Sequence, residues 1–253
     1  MPARTEVLLR PAASSVVGPS GVTTGLLLWL AADSGGHLWQ ESTRITPATQ
    51  DGDPVGAWDD VSGAGRNALE ATVGKRPLLK LAIQNGKPVL RFDGVDDWMA
   101  TPSITFGSAY TVIMAVIAPT INKILLESGP NTNSSAGFLL YSGSPNGQVF
   151  GGSGGPFTYG GTDLHAVGMQ VLTTLATSAA TADVFKNGTS QGPQTRTFGT
   201  IGAVVVNVGA RSGGTLPLNG DIAEVIVYDH ALTTGDRQLV ERGLGTKYGV
   251  TVA

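Results

Sequence analysis

The stretch LNGDIAEVIVYDHALTTGDRQLVERGLGTKYG, residues 218–249, contains both kinds of regular element that this chain is expected to form. Its first half, 221–228, is rich in Val and Ile, whose branched side chains suit a pleated, half-buried surface better than a helix. The second half changes period. Leu239, Val240, Leu244 and Tyr248 fall on one helical face, Thr233 or Thr234 can cap the start, and Asp236 sits in the first turn. Gly243 and Gly245 weaken this helix, so it is expected to be short and to pack on a larger β structure.

No second helical pattern occurs upstream. From Gly25 onward, short apolar or alternating runs recur between clusters of Gly, Pro, Asn and Asp, the pattern of a sandwich or barrel rather than of βαβ units. The clearest strands are 26–31, 88–92, 110–118, 123–127, 138–141, 164–172, 182–186, 203–208 and 221–228. Asn187-Gly188 follows one of them directly and readily takes the positive φ angles of a two-residue hairpin turn. GSPNGQVFGGSGGPFTYGG, 143–161, reads as a long surface loop with a short strand near Val149. The expected fold is an all-β, two-sheet antiparallel jelly-roll sandwich with one short C-terminal helix, over residues 25–253. Residues 1–24, broken by Pro2, Pro11, Gly18, Pro19 and Gly21, read as an N-terminal arm. Such an arm is ordered only when its own domain or a neighbouring subunit holds it.

Composition narrows the function. Charged residues make up 14% of the chain, so much of the surface is Ser, Thr, Gly and Asn, as in proteins that pack against neighbours. A net charge of -3 with no basic run gives no footprint for a nucleic-acid backbone. Without cysteine there is no disulfide framework, and the sheet core must supply the stability. The apolar run 7–9 is too brief for a signal peptide and 26–32 too short for a membrane span, so a soluble protein made in a cytoplasm is expected, with no membrane partner.

Two groups of motifs resemble the concanavalin A-like superfamily, in particular its laminin-G-like domains of the bacterial and phage type. The first comprises GLLLWLAAD at 25–33, VGAWDDVSGAGRNA at 55–68, RPLL at 76–79 and NGKPVLRFDGVDDWM at 85–99. The second comprises KNGTS at 186–190, NVGARSGG at 207–214 and the stretch 218–249. The resemblance implies the sandwich over about nine-tenths of the chain, but one sandwich hosts lectins, glycanases, adhesion modules and virion parts.

Physically, the same motifs read as structural. Trp58 supplies an apolar plate, while Asp59 and Asp60 can accept N–H bonds in the turn that follows. Phe92 and Trp98 flank a turn in which Asp93-Gly94 can adopt positive φ and Asp96 and Asp97 can bond the loop backbone. The resemblance adds Ca²⁺ as an alternative role for Asp93, Asp96 and Asp97; Asp-rich turns are commoner, and no cofactor is the leading expectation.

Catalysis is expected to be absent. Glycanases of this superfamily carry carboxylates at alternate positions of one strand, whereas Glu224 has Ile222 and Ile226 as its same-face neighbours. Glu224 is expected to be buried against the backbone or an Arg such as Arg211. Gly151-Gly152-Ser153-Gly154-Gly155 lacks the strand and helix of a nucleophile elbow, residues 63–68 lack the βαβ unit of a dinucleotide site, and His37, His165 and His230 lack companion ligands. Trp39, Phe157 and Tyr159 lie in loops and can stack on a sugar ring. The leading functional reading is therefore a non-enzymatic virion component, for capsid decoration or a tail, homo-oligomeric and contacting other subunits through its arm. The alternative is a carbohydrate-binding module, and a glycoside hydrolase comes last.

Overall fold

The Val- and Ile-rich runs of residues 110–118 and 219–228 become adjacent strands buried on both faces. The computed structural model describes residues 18–129, 139–141, 148–150, 156–158, 164–178, 181–195 and 201–253. Its first sheet runs in the order β16 (Thr189–Ser190), β15 (Thr181–Lys186), β14 (Ala166–Ala176), β9 (Tyr110–Ala118), β20 (Asn219–Tyr228), β6 (Lys87–Asp93) and β5 (Leu78–Gln84). Two more strands branch from it, β1 (Leu26–Ala31) on β20 and β17 (Gln194–Thr195) on β15. The second sheet runs β13 (Pro156–Thr158), β12 (Gln148–Phe150), β11 (Leu139–Tyr141), β10 (Ile124–Ser128), β19 (Val206–Val208), β7 (Met99–Ala100), β4 (Ala68–Leu69), β3 (Ala57–Trp58) and β2 (Leu38–Trp39). A ribbon of β8 (Ile104–Phe106) and β18 (Gly202–Val204) flanks them. Every strand pairing among the described residues is antiparallel.

The sheets enclose one core, in which Leu90, Phe92, Met114, Val116, Val225 and Val227 of the first sheet belong with Trp58, Met99, Leu125, Val206 and Val208 of the second. The far face of the first sheet is apolar too. There Val89, Ile113, Ala115, Val171 and Ile226 pack under the helix α1 (Thr234–Tyr248), with Val240, Leu244 and Tyr248 facing down. A strand covered on both faces reads as a continuous apolar run, which is why 110–118 and 221–228 show no alternation. Among the described residues the molecule thus has three layers, and the outward face of the second sheet includes the half-buried Trp39, Trp98 and Ala100 and the exposed Leu69.

The helix begins as expected: the Thr233 hydroxyl accepts from the Asp236 N–H at 3.1 Å, and it ends at Gly249 in the left-handed conformation. Its buried face differs from the expected one. Leu239 is exposed, while Arg237 and Glu241 are buried. They are tolerated because they pair with each other, Glu241 also accepts from Thr173 Oγ1 at 2.6 Å, and the Arg237 guanidinium lies 3.8 Å from the Phe185 ring centre.

Several strands also depart from the sequence expectation. The run 203–208 divides between β18 and β19, which belong to different sheets. β5 extends to Gln84, past the apolar 78–79, with a bulge after Lys80 where Ala82 takes a positive φ of 53°. A second bulge, between Ile222 and Glu224, turns Ile222 into the sandwich core and leaves Ala223 and Ile226 on the helix side. Asn187 and Gly188 form the expected hairpin turn with φ of 50° and 80°. Of the arm, 1–17 lies outside the described residues; Pro19–Gly21 forms a 3-10 turn beside α1, and the Tyr228 hydroxyl donates to the Val22 carbonyl at 3.1 Å.

Candidate functional site

Glu224 sits between the first sheet and α1 and is 1% exposed. Trp29 Nε1 donates to its Oε2 at 2.7 Å, and Tyr248 OH and Lys247 Nζ donate to Oε1, the phenol at 3.0 Å. Lys247 also reaches Asp33 Oδ1 at 2.5 Å. Burial pulls the Lys247 ammonium down, but Glu224 and Asp33 outweigh it and hold the group above its ordinary range. Burial first, then the Glu224 charge, pushes the Tyr248 phenol up, so it remains a donor. Both carboxylate oxygens are thus occupied, and the network ties helix to sheet. The expectation of an Arg211 or backbone partner is corrected: β20 delivers Glu224 to the helix layer, while Arg211 lies by the second sheet and pairs with buried Glu127 at 3.1 Å.

The outer face of the second sheet is built differently. Its strand pairings set Trp39, Ala57, Leu69, Ala100, Asn207 and Glu127 in one row across six strands. Trp98, two residues before Ala100, shares their face. Over β7 and β19 lies a cleft of about 380 Å³, lined by Trp98, Ala100, Ser103, Asn207, Ser212 and, from the ribbon and the residue after it, Ala203, Val204 and Val205. Its size falls in the range of small-ligand pockets.

The Trp98 indole is held from below. Its Nε1 is buried, without a hydrogen-bond partner, in a position where a Cβ on Gly214 would come within 3.6 Å. Glu127 shapes the other wall by accepting from Arg211 Nε and, at 2.9 Å, from the Ser212 N–H. Asn207 is anchored by its amide to the Gly129 carbonyl at 3.3 Å. The hydroxyls of Ser103 and Ser212 have no partner among the described residues. An aromatic plate beside uncommitted hydroxyls and an amide can take a ligand with both C–H and O–H faces. Three other clefts of similar volume, beside Asp33 and Lys87, beside Arg91 and Asp97 and beside Arg242 and Val252, offer no exposed ring, since Phe92 at the second is fully buried.

The 93–97 turn brings its three carboxylates together, with one oxygen of each within 4.8 Å of the others. Asp93 Oδ1 accepts from the Val95 N–H at 2.8 Å, and Asp97 Oδ2 from the Asp93 N–H at 2.9 Å. Burial, and then the charges of Asp93, Asp96 and Glu70, push the Asp97 carboxyl up to about 7 against the pull of that bond. Ca²⁺ takes six to eight oxygens, and two of these three carboxylates already staple their own loop, so the cluster fits a loop clasp better than a Ca²⁺ shell. Only Gly94 of the turn takes positive φ, where Asp93-Gly94 was expected to do so as a pair.

The remaining predicted residues separate by role. Trp58 and Phe92 are fully buried in the core. Asp60 accepts from the backbone N–H groups of Trp29, Ser62 and Arg66 as expected of a turn residue. Asp59 does not: it accepts from the Trp39 indole at 2.9 Å and from Arg44 at 3.3 Å, because it faces outward beside β2. Trp39 lies in β2, not in a loop. Phe157 is placed by its backbone alone, in the edge strand β13, and Tyr159 lies outside the described residues. The cleft residues Ser103, Asn207 and Ser212 were missed, and Trp98 was read as structural only. Its parity with Ala100 was the available signal, but that signal needs the sheet face to be known.

No protein-family model and no curated protein matches the sequence. Solved structures do match. The chain superposes on domain 4 of AbnA, a GH43 extracellular arabinanase from Geobacillus stearothermophilus in complex with arabinotriose, with a TM-score of 0.52, 15% identity, and 86% of this chain covering 97% of that one. It superposes on the Trypanosoma rangeli sialidase in its covalent intermediate with 2,3-difluorosialic acid with a TM-score of 0.58 and 15% identity, covering 90% of this chain but 34% of the sialidase. For the binding domain of Paraclostridial Mosquitocidal Protein 1 the values are 0.57 and 12%, covering 88% of this chain and 52% of the other. The expectation of a non-enzymatic protein is thereby corrected, since the same sandwich occurs in chains of glycoside hydrolases and lends no support to excluding catalysis. No helix among the described residues is long and apolar enough to cross a membrane. At 10–15% identity the likeness establishes one thing, that this chain has the antiparallel β-sandwich fold of those domains.

Proposed function

We propose that the chain is a carbohydrate-binding domain whose ligand lies in the cleft over β7 and β19. The observation that carries the reading is the grouping in one cleft of the Trp98 ring, the hydroxyls of Ser103 and Ser212, which have no partner among the described residues, and the Asn207 amide. A sugar presents a flat C–H face to an aromatic plate and hydroxyls around its rim, and these groups match both requirements. The neighbours support the class: the arabinanase domain was solved with arabinotriose, and the sialidase with a sialic acid derivative. The finer assignment to laminin-G-like domains belongs to the same proposal and rests on the motifs at 85–99 and 218–249. The virion reading rests in part on the arm of residues 1–24, of which 1–17 lie outside the described residues, and none of the three neighbours named above is a particle protein.

A glycan array followed by calorimetry on arabinan, xylan and sialylated oligosaccharides tests the proposal. The wild type is expected to bind at least one class, and Trp98→Ala, in a variant that a melt shows to be folded at the assay temperature, to weaken that binding by at least about tenfold, roughly 1.4 kcal/mol. A folded wild type that binds nothing on the array, or a Trp98→Ala variant with full affinity, sinks it.

A further inference from the structure

The cleft is not the whole of the exposed face. Trp39 and Ala57 are direct partners in the β2–β3 ladder, and the Trp39 indole N–H bonds Asp59, two residues after Ala57 and just past the end of β3. The indole therefore runs along β3 from Ala57 toward Asp59, half-buried and fixed at its polar edge. Ala57 is fully buried without belonging to either core, as a methyl on the outer face beneath a covering group would be. Arg44 holds Asp59 from the other side at 3.3 Å. The result is a second aromatic plate on the same face as Trp98.

The strand order sets the spacing. From β2 to β7 there are three ladder steps, through β3 and β4, or about 14 Å at the usual distance between strands. Between the plates the row offers Leu69, 38% exposed, a low apolar floor rather than a wall. A single sugar ring is far too short to touch both plates, whereas an oligosaccharide laid across the strands reaches from one to the other.

We infer that this face binds an extended glycan along its interior, with Trp98 and its cleft as the primary subsite and Trp39 as a second stacking subsite three strands away. The inference rests on the carbohydrate-binding reading above and adds a ligand class to it: a linear chain of several sugars rather than a terminal monosaccharide. Affinity then arises from two weak contacts joined through one ligand, the second being made at the high effective concentration set by the first.

Calorimetry with mono-, tri- and hexasaccharides of arabinose, xylose and glucose tests it on the intact chain. For the sugar that binds, the hexasaccharide is expected to bind at least about tenfold more tightly than the monosaccharide. Trp39→Ala should erase that gain and leave the monosaccharide affinity within about twofold, while Trp98→Ala weakens both. Trp39→Phe, which keeps a ring but loses the bond to Asp59, should retain most of the gain, and it guards against a Trp39→Ala variant that fails to fold. Equal affinity for short and long ligands, or a gain that survives Trp39→Ala, overturns the two-plate inference and leaves the carbohydrate reading intact. Absence of binding to these sugars and to every glycan on the array overturns both.

Discussion

Asp97 shows how much one residue depends on its surroundings. In the sequence it is one of three carboxylates in an Asp-rich turn; in the fold it is 4% exposed while Asp93 is exposed. Its carboxyl is held near 7, against an ordinary 3.8, because burial and three acidic neighbours all oppose its charge. The folded state therefore keeps a proton that the unfolded chain has released, so stability from this group is full below the unfolded value and declines as pH rises toward 7. At ~1.4 kcal/mol per unit, the wild type is expected to lose roughly 2–3 kcal/mol between about pH 5 and pH 8 through this group. Asp97→Asn keeps an acceptor for the Asp93 N–H and removes the titration. Urea melts across that range should show a flatter pH dependence for the variant and greater stability than wild type at about pH 8; parallel curves would refute the assignment.

At the scale of elements, β9 and β20 owe their apolar continuity to the helix layer. In a strand with one wet face, replacing alternate residues is harmless; here both parities are packed. Ile113 faces α1 and Met114 faces the sandwich core, and both are fully buried. Ile113→Ala and Met114→Ala are each expected to cost about 2–5 kcal/mol in denaturant melts, the range for emptying a packed site. A cost below about 0.5 kcal/mol at Ile113, the level of a surface change, would show that the helix does not seal that face. The helix itself was legible in part. Its cap at Thr233 and its apolar positions Val240, Leu244 and Tyr248 are local features, but the burial of Arg237 and Glu241 required partners from β14 and β15 that no helical period encodes.

Across the whole molecule, the stabilising polar network and the proposed binding face stand on opposite sides of the first sheet. Glu224 fastens β1, β20 and α1 together, whereas Trp98 and Asn207 belong to the second sheet about 10 Å beyond, the usual distance between stacked sheets. Glu224→Ala leaves Lys247 and Tyr248 facing an empty site and is expected to cost about 3–5 kcal/mol, the loss typical of breaking a buried ion pair from one side. Glycan affinity of the protein that remains folded should stay within about twofold of wild type, since no hydrogen bond or ion pair among the described residues joins Glu224 to the cleft. Measured together, a melt and a titration separate these effects: a large affinity loss without unfolding would place Glu224 in the binding machinery and contradict the layered division.

The sequence by itself determined the class of fold, the Asn187-Gly188 hairpin, the capped C-terminal helix and the long strands, but not the two-residue strands β2, β3, β4 and β7, because turn chemistry, β-branching and helical period act over a few neighbouring residues. Only the tertiary structure decided which face each side chain took. The bulge at Ala223 turned Glu224 away from Ile222 and toward the helix, and the pairing of β7 with β4 and β19 brought Trp98 onto the same face as Trp39, Asn207 and Glu127. A sheet face is assembled from residues up to a hundred or more positions apart, such as Trp98 and Asn207, and strand register, which one inserted residue reverses, is settled by long-range pairing rather than by local preference.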